Sequence, residues 1–331
     1  MSAGDALLAE VTRGPSVESR HFGAAILMRE SQIVESLGNA QRLVFPRSAI
    51  KPIQALQLVE SGAAKRFGLG DREIAIACGS HSGEAMHVDC AHAWLRSLGL
   101  SERALGCGAH APYSEAARTQ LAVHGLAPTQ MHNNCSGKHV GFLCVAKHLG
   151  EPIENYVART HPTQIRWLDA LAEMADEKLD ASIAGVDGCA IPSQPVSLLG
   201  LARATAKLAT REDVSAVRAE AIARINRAMA AHPELVAGTD RACTRMMSAT
   251  AGRVLAKTGA EGVYLAWIPE ERAAVALKIS DGATRAAEVA VAQLVRRLLG
   301  ASHELAEKLA PFTTQTLVGA GGATVGVVRA S

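Results

Sequence analysis

The spacing of apolar positions changes along the chain and divides it into three parts. Residues 22–28 form a short apolar stretch, closed by the polar break Arg29-Glu30-Ser31, and 33–42 begins apolar and ends polar. That pattern predicts a strand, a turn and a second strand. From Pro46 the spacing turns helical, with Ile50, Ile53, Leu56, Leu58 and Val59 recurring until Gly62. Asp71 is a candidate cap for a short helix at 74–77. Apolar stripes at 84–98, 137–149, 163–179, 195–208 and 214–229 predict further helices, and abundant alanine supports them. The pattern changes again near residue 250. Val263–Ile268 and Ala273–Ile279 read as strands across the turn 269–272, Asp281-Gly282 as a turn, 283–299 as an amphipathic helix and 323–328 as a final strand.

Strands near both ends with helices between them predict one antiparallel sheet with helices packed on it and a helical insertion, an α+β class. Regular βαβ alternation is missing, and no G-x-G-x-x-G or P-loop occurs. One unit spanning 1–331 is expected, with 1–62 and 250–331 as the sheet layer and 63–249 as the mainly helical layer.

Composition narrows the function. Thirty-four Lys and Arg against 32 Asp and Glu give a net charge of +2, and aromatics are 3% of the 331 residues. This balance argues against nucleic acid and anionic membrane surfaces as partners. No apolar run approaches the ~18 residues of a membrane helix. The stretch 1–14 carries Asp5 and Glu10 and lacks a basic start, so it reads as a poor signal peptide. A cytoplasmic location with reduced thiols is expected. The seven cysteines then stand as core residues, ligands or nucleophiles.

Five segments carry candidate chemistry. Ser48-Ala49-Ile50-Lys51 places a hydroxyl and an amine three residues apart on one helix face. A lysine of lowered pKa can take the serine proton. Lys257-Thr258-Gly259, paired with S-x-x-K, matches the signature set of serine β-lactamases and penicillin-binding proteins; taken alone, Lys257 is an ordinary turn lysine. Cys78-Gly79-Ser80-His81-Ser82-Gly83-Glu84 offers a second serine and, at a helix start, backbone amides suited to an oxyanion. Its alternative is a loop in which Ser82 and Glu84 cap the next helix. The octet 132–139, His-Asn-Asn-Cys-Ser-Gly-Lys-His, is dense in polar side chains before an apolar helix. In the loop 185–193, Asp187 can hold an ammonium or can bond its own turn. Cys135 and Cys189 can jointly hold a soft metal such as zinc. Cys90, Cys107, Cys144 and Cys243 read as small core residues, and Cys78 flanks the Ser80 loop without a role.

Arg47-Ser48-Ala49-Ile50-Lys51-Pro52, Ser80-His81-Ser82, Asn134-Cys135-Ser136-Gly137-Lys138-His139, Asp187-Gly188-Cys189 and the run 232–238, His-Pro-Glu-Leu-Val-Ala-Gly, occur in this order. With them the chain resembles the Rhizobium-type, or class 3, L-asparaginases, the thermolabile asparaginase II family. The resemblance implies a fold like that of serine β-lactamases and glutaminases, a homodimer, and hydrolysis of L-asparagine to L-aspartate and ammonia. It implies two Ser-Lys pairs, Ser48 with Lys51 and Ser80 with Lys257. It implies a zinc held by Cys135, Lys138 and Cys189, positioning substrate rather than activating water. Arg47, His81, Asn134, Lys138, Asp187 and Gly188 are the implied substrate contacts, with Asp187 facing the ammonium and Arg47 or His81 the carboxylate. A lysine ligand must be neutral, so zinc binding should weaken as pH falls. Two rivals remain: another serine amidohydrolase of this fold, glutaminase or β-lactam-reactive, and a non-catalytic zinc-thiolate protein.

Overall fold

The computed structural model describes residues 4–331. The first three residues of the stretch read against a signal peptide lie outside them. The main sheet has eight strands: β1 (Ala6–Arg13), β2 (Ser16–Arg29), β3 (Gln32–Leu37), β4 (Leu255–Gly259), β5 (Val263–Ile268), β6 (Ala273–Ile279), β7 (Thr314–Val318) and β8 (Thr324–Ala330). Their order is β7-β8-β1-β2-β6-β5-β4, with β3 also paired to β2, and all pairings are antiparallel. The expected α+β class is what the chain adopts, with a sheet built from both chain ends.

The long strand β2 pairs with β1 over its polar first half and with β6 and β3 over its apolar second half. Ala24–Met28 is buried throughout, as are β5 and nearly all of β6. Unbroken apolar runs of this kind mark strands covered on both faces. The helix Leu198–Thr210 packs on β2, β5 and β6, and the helix Thr284–Leu299 packs on the same strands and on β1 and β8. With both faces of β5 and β6 enclosed, the two helices form the outer layers of a sandwich. The helices between β3 and β4 other than Leu198–Thr210, among them Asp71–Ala77, Ser136–Leu149 and Ala216–Ala231, form the inserted part.

Several elements differ from the pattern reading. The predicted strand 33–42 stops at Leu37, where Gly38 turns with φ +71°; a side chain there would meet the Gly23 carbonyl at 2.5 Å. The predicted helix from Pro46 to Gly62 is three short pieces, Arg47–Ile50, Lys51–Gln54 and Leu56–Glu60. Pro52 explains the first break, because proline suits the start of a helix and not its interior. Asp71 does not cap its helix: Gly70 is the cap, its amide bonds Glu73 Oε2 at 2.9 Å, and Asp71 pairs with Arg227. The helix predicted to reach 179 ends at Ala175, where Asp176 turns left-handed. The strands β1 and β7 escaped the pattern altogether. In β1, Ala-Leu-Leu-Ala-Glu has helical composition, and pairing with β2 and β8 overrides it.

Candidate active site

The Arg47–Ile50 turn packs against β4 at the end of the sheet. Contact is close because of Gly259, where a Cβ would lie 2.5 Å from the Pro46 carbonyl oxygen and 3.2 Å from the Ala49 amide. Lys257, two residues earlier on β4, shares that face. Ser48 is half-buried in the turn. Arg47, just before it, has φ +51°, a left-handed conformation costly for a residue with a side chain. Its guanidinium donates from Nε and Nη2 to Asp187 Oδ1 at 3.2 and 2.9 Å. Burial would raise the Asp187 pKa, but the bonds from Arg47 outweigh it and keep the carboxyl ionised.

Both lysines are enclosed, Lys51 at 1% exposure and Lys257 at 0%. Burial lowers the pKa of each, and Lys257 is pushed down to about 7. The Lys51 charge further depresses Lys257, and the Lys138 charge further depresses Lys51. Lys51 Nζ donates to the carbonyls of Gly79 (2.5 Å) and Asn134 (3.2 Å), not to Ser48. Lys257 Nζ donates to the Thr258 carbonyl at 2.7 Å, not to Ser80. The helical spacing therefore brings Ser48 and Lys51 to one place, with Lys51 tied to the neighbouring loops.

The Ser80 loop is fastened on both sides. Ser80 N donates to Val236 O (2.8 Å), His81 N to Asn134 O (3.1 Å) and Gly83 N to His81 Nδ1 (3.2 Å). These amides are spent on the frame, which corrects the expectation that this loop offers them to an oxyanion. Asn134 Nδ2 donates to Ser80 Oγ at 2.9 Å. His81 is also corrected. It is fully buried, its Nδ1 accepts from Gly83, and its Nε2 therefore carries the proton toward Ser136 Oγ (3.0 Å). It stacks on His87 with centroids 4.7 Å apart, and burial holds it neutral. A ring with both nitrogens satisfied inside the protein positions the loop and does not reach a ligand. Glu84 is the N-cap of the helix Ala85–Ser97, as the alternative reading has it: its amide donates to His87 Nδ1 at 3.1 Å, while its carboxylate accepts from Thr239 N and Oγ1; Ser82 does not cap, and its Oγ donates to Ala237 O.

Cys135, Lys138 and Cys189 converge under the Asp187 loop, although 54 residues separate the two cysteines in sequence. Lys138 Nζ lies 3.0 Å from Cys189 Sγ. The hydrogen bond from Cys135 and the Lys138 charge pull Cys189 down to about 5, whereas Cys135 is pushed up to about 12 by that same bond and by burial. Burial works against the Lys138 ammonium, but the two sulfurs outweigh it and raise its pKa. The pair thus shares one thiolate, on Cys189. Among the described residues no group of three or more His, Cys, Asp and Glu side chains gathers. Only with the Lys138 amine does the cysteine pair become a three-donor set. Two soft sulfurs and a nitrogen suit zinc once Lys138 is deprotonated. Gly188 is exposed beside Cys189, and its amide donates to Asp187 Oδ1 at 2.7 Å.

Sequence reasoning left Cys243 among the core thiols. It is buried, but Thr258 N donates to its sulfur at 3.3 Å and Tyr264 Oη lies 3.1 Å away, so it braces the strand carrying Lys257. Only the tertiary pairing of β4 reveals this. A cleft of about 760 Å³ is not at Ser48; it is bordered by Ser82, Tyr113 and Arg241. A recess of about 440 Å³ borders Arg47, Phe45, Val186 and Lys278. The chemistry, not cavity size, locates the candidate site.

A family model described as L-asparaginase II matches residues 9–330. The chain belongs to the L-asparaginase II family. An amidohydrolase is the class of enzyme this membership supports. No curated protein gives a match. Solved structures similar to the chain include two β-lactamases. A β-lactamase from Mycobacterium bovis has 15% identity and a TM-score of 0.40, covering 80% of this chain and 89% of that one. A β-lactamase from Bacteroides dorei, itself assigned provisionally, has 11% identity and a TM-score of 0.41, covering 82% and 93%. No helix among the described residues is long and apolar enough to cross a membrane.

Proposed function

We propose that this member of the L-asparaginase II family hydrolyses L-asparagine to L-aspartate and ammonia through an acyl-enzyme formed on Ser48. The observation that carries the reading is a reachable serine on a strained turn, packed against the strand of a buried lysine whose pKa is about 7. A base of that pKa is largely neutral at physiological pH, which a general base requires. Ser48 Oγ attacks the side-chain amide carbon and gives its proton to a buried lysine, Lys51 or Lys257. The tetrahedral oxyanion is held by amides of the Ser48 turn, where the first N–H groups of a helix have no intrahelical partner. The C–N bond breaks, the nitrogen takes the proton and leaves as ammonia, and water cleaves the ester to release aspartate and restore Ser48.

Ser48 is favoured over Ser80 because Ser80 is 8% exposed and its hydroxyl is engaged by Asn134. Ser80 suits a relay. Asp187 suits the substrate ammonium and Arg47 its carboxylate, with Asn134 and Gly188 at the rim. Zinc is part of the proposal. Cys135, Cys189 and Lys138 would hold it, and it would supply a fixed positive charge that helps position the substrate. A homodimer in the cytoplasm completes the reading. Ammonia release from L-asparagine and L-glutamine, with and without added zinc, tests it; no release from either amide would overturn it.

A further inference from the structure

A further cavity, of about 570 Å³, shares no lining residue with the Ser48 site, although the charge of Arg241 at its edge reaches Lys257. It opens between the helix Ala242–Ala249, the helix Thr284–Leu299 and the outer strand β7. None of the residues named above for catalysis or for the metal borders it. Four charged side chains do: Arg241, Arg245, Asp240 and Glu288.

Of the other 23 arginines, twelve close ion pairs with carboxylates, including Arg47, Arg218 and Arg253. Arg241 and Arg245 close none among the described residues. Each instead lies over an aromatic ring, Arg241 with its Cζ 5.7 Å from the Tyr113 centroid and Arg245 with its Cζ 5.2 Å from that of Phe312. Stacking fixes a guanidinium plane while leaving its N–H fork free for a planar carboxylate. Arg241 is the N-cap of the helix Ala242–Ala249 and Arg245 lies in its first turn, and both border the cavity. Glu288 faces them from the neighbouring helix and feels both charges without touching either. Its carboxyl is pushed up by burial, which the two arginines only partly offset. Charges held near one another but apart leave room for a bridging molecule.

Two cations and two carboxylates balance. A phosphate or simple anion would leave Glu288 opposed to it. A molecule with a carboxylate at one end and an ammonium at the other satisfies all of them. We propose that this cavity is a second binding site for a free, zwitterionic α-amino acid, its carboxylate on Arg241 and Arg245 and its ammonium on Glu288.

The inference is independent of turnover at Ser48, and calorimetry on the full chain separates the two. L-Asparagine is titrated into the Ser48→Ala protein, alone and combined with Arg245→Gln or Glu288→Gln. If both readings hold, two sites are found, and either added substitution weakens one of them about tenfold or more, the usual effect of losing a charge-assisted bond. If only the cavity reading holds, one site is found and both substitutions weaken it. Sites that neither substitution changes would overturn the cavity reading. Succinamate, which is asparagine without its ammonium, should bind the cavity at least tenfold more weakly; equal binding would overturn the assignment to amino acids. Arg245 is exposed and Gln is close to Glu in shape, so both variants should fold, and circular dichroism checks that they do.

Discussion

Arg47 and Asp187 neutralise one another across the mouth of the candidate site, through two hydrogen bonds to a single carboxylate oxygen. Neither is fully buried, at 29% and 18% side-chain exposure. Their opposite charges match the carboxylate and ammonium of an amino acid, so the closed pair keeps both groups oriented before substrate arrives. Asp187→Asn removes the ammonium partner and half the pair. The expected result is a KM for asparagine raised about tenfold or more, with a smaller change in kcat. Steady-state ammonia release measures both. A fall in kcat alone would place Asp187 in the chemical step instead.

Ser48→Ala should abolish turnover, by at least a hundredfold, and leave thermal stability nearly unchanged, since the hydroxyl bonds no partner among the described residues. Lys51 behaves differently. Its ammonium satisfies the Gly79 and Asn134 carbonyls, and these belong to the two loops that frame Ser80. Lys51→Ala therefore costs both activity and stability, about 1–3 kcal/mol for a stranded buried polar group with a cavity added. Sequence spacing alone predicts loss of activity with an intact fold. Denaturant unfolding beside an activity assay decides it; unchanged stability in Lys51→Ala would contradict the tether.

The sheet was legible where apolar runs are long. Residues 22–28, Val263–Ile268 and Ala273–Ile279 are strands because both of their faces are covered, and an unbroken apolar run records that. The strand β1 was not legible, because Ala, Leu and Glu favour helix locally and only long-range pairing makes them a strand. At the site, the motif residues Ser48, Lys51, Cys135, Lys138, Asp187 and Cys189 could be singled out by type and order. Their partners could not. That Lys51 bonds the Gly79 carbonyl, that His81 is sealed between His87 and Ser136, or that Cys243 braces β4 depends on contacts between distant segments that no local pattern encodes.

The cysteines divide by location. Cys135 and Cys189 share a hydrogen bond beside Lys138, whereas Cys90 lies alone in the helix Ala85–Ser97. Cys135→Ser and Cys189→Ser should each lower zinc content severalfold, and Cys90→Ser should not. Lys138→Met should lower it as well, by removing the third donor. Elemental analysis after dialysis against a fixed zinc concentration reads this directly. Because zinc must displace protons from Lys138 and a thiol, occupancy should fall as pH is lowered from 8 to 6. Equal zinc in the wild type and in both cysteine variants would exclude the site.

Lys257 links activity and stability through one proton. If it serves as base, it acts only when neutral, so kcat should rise with pH through about 7 and level off above. The stability effect follows from the direction of the shift. Folding lowers this pKa from 10.5 to about 7, so between those values the unfolded chain holds the extra proton. Stability contributed by this group therefore falls as pH drops from about 10.5 toward 7, and the penalty is complete below 7. Lys257→Met removes the penalty and fills the space with a side chain of similar length. The variant should be inactive yet more stable at pH 6 to 7, by about 5 °C in Tm or more, with the gain shrinking toward pH 10. Melting curves across that range, set beside the pH profile of ammonia release, test both halves. A stability gain independent of pH would mean that Lys257 is not the group whose burial is costly, and a flat rate profile would transfer the base role to Lys51.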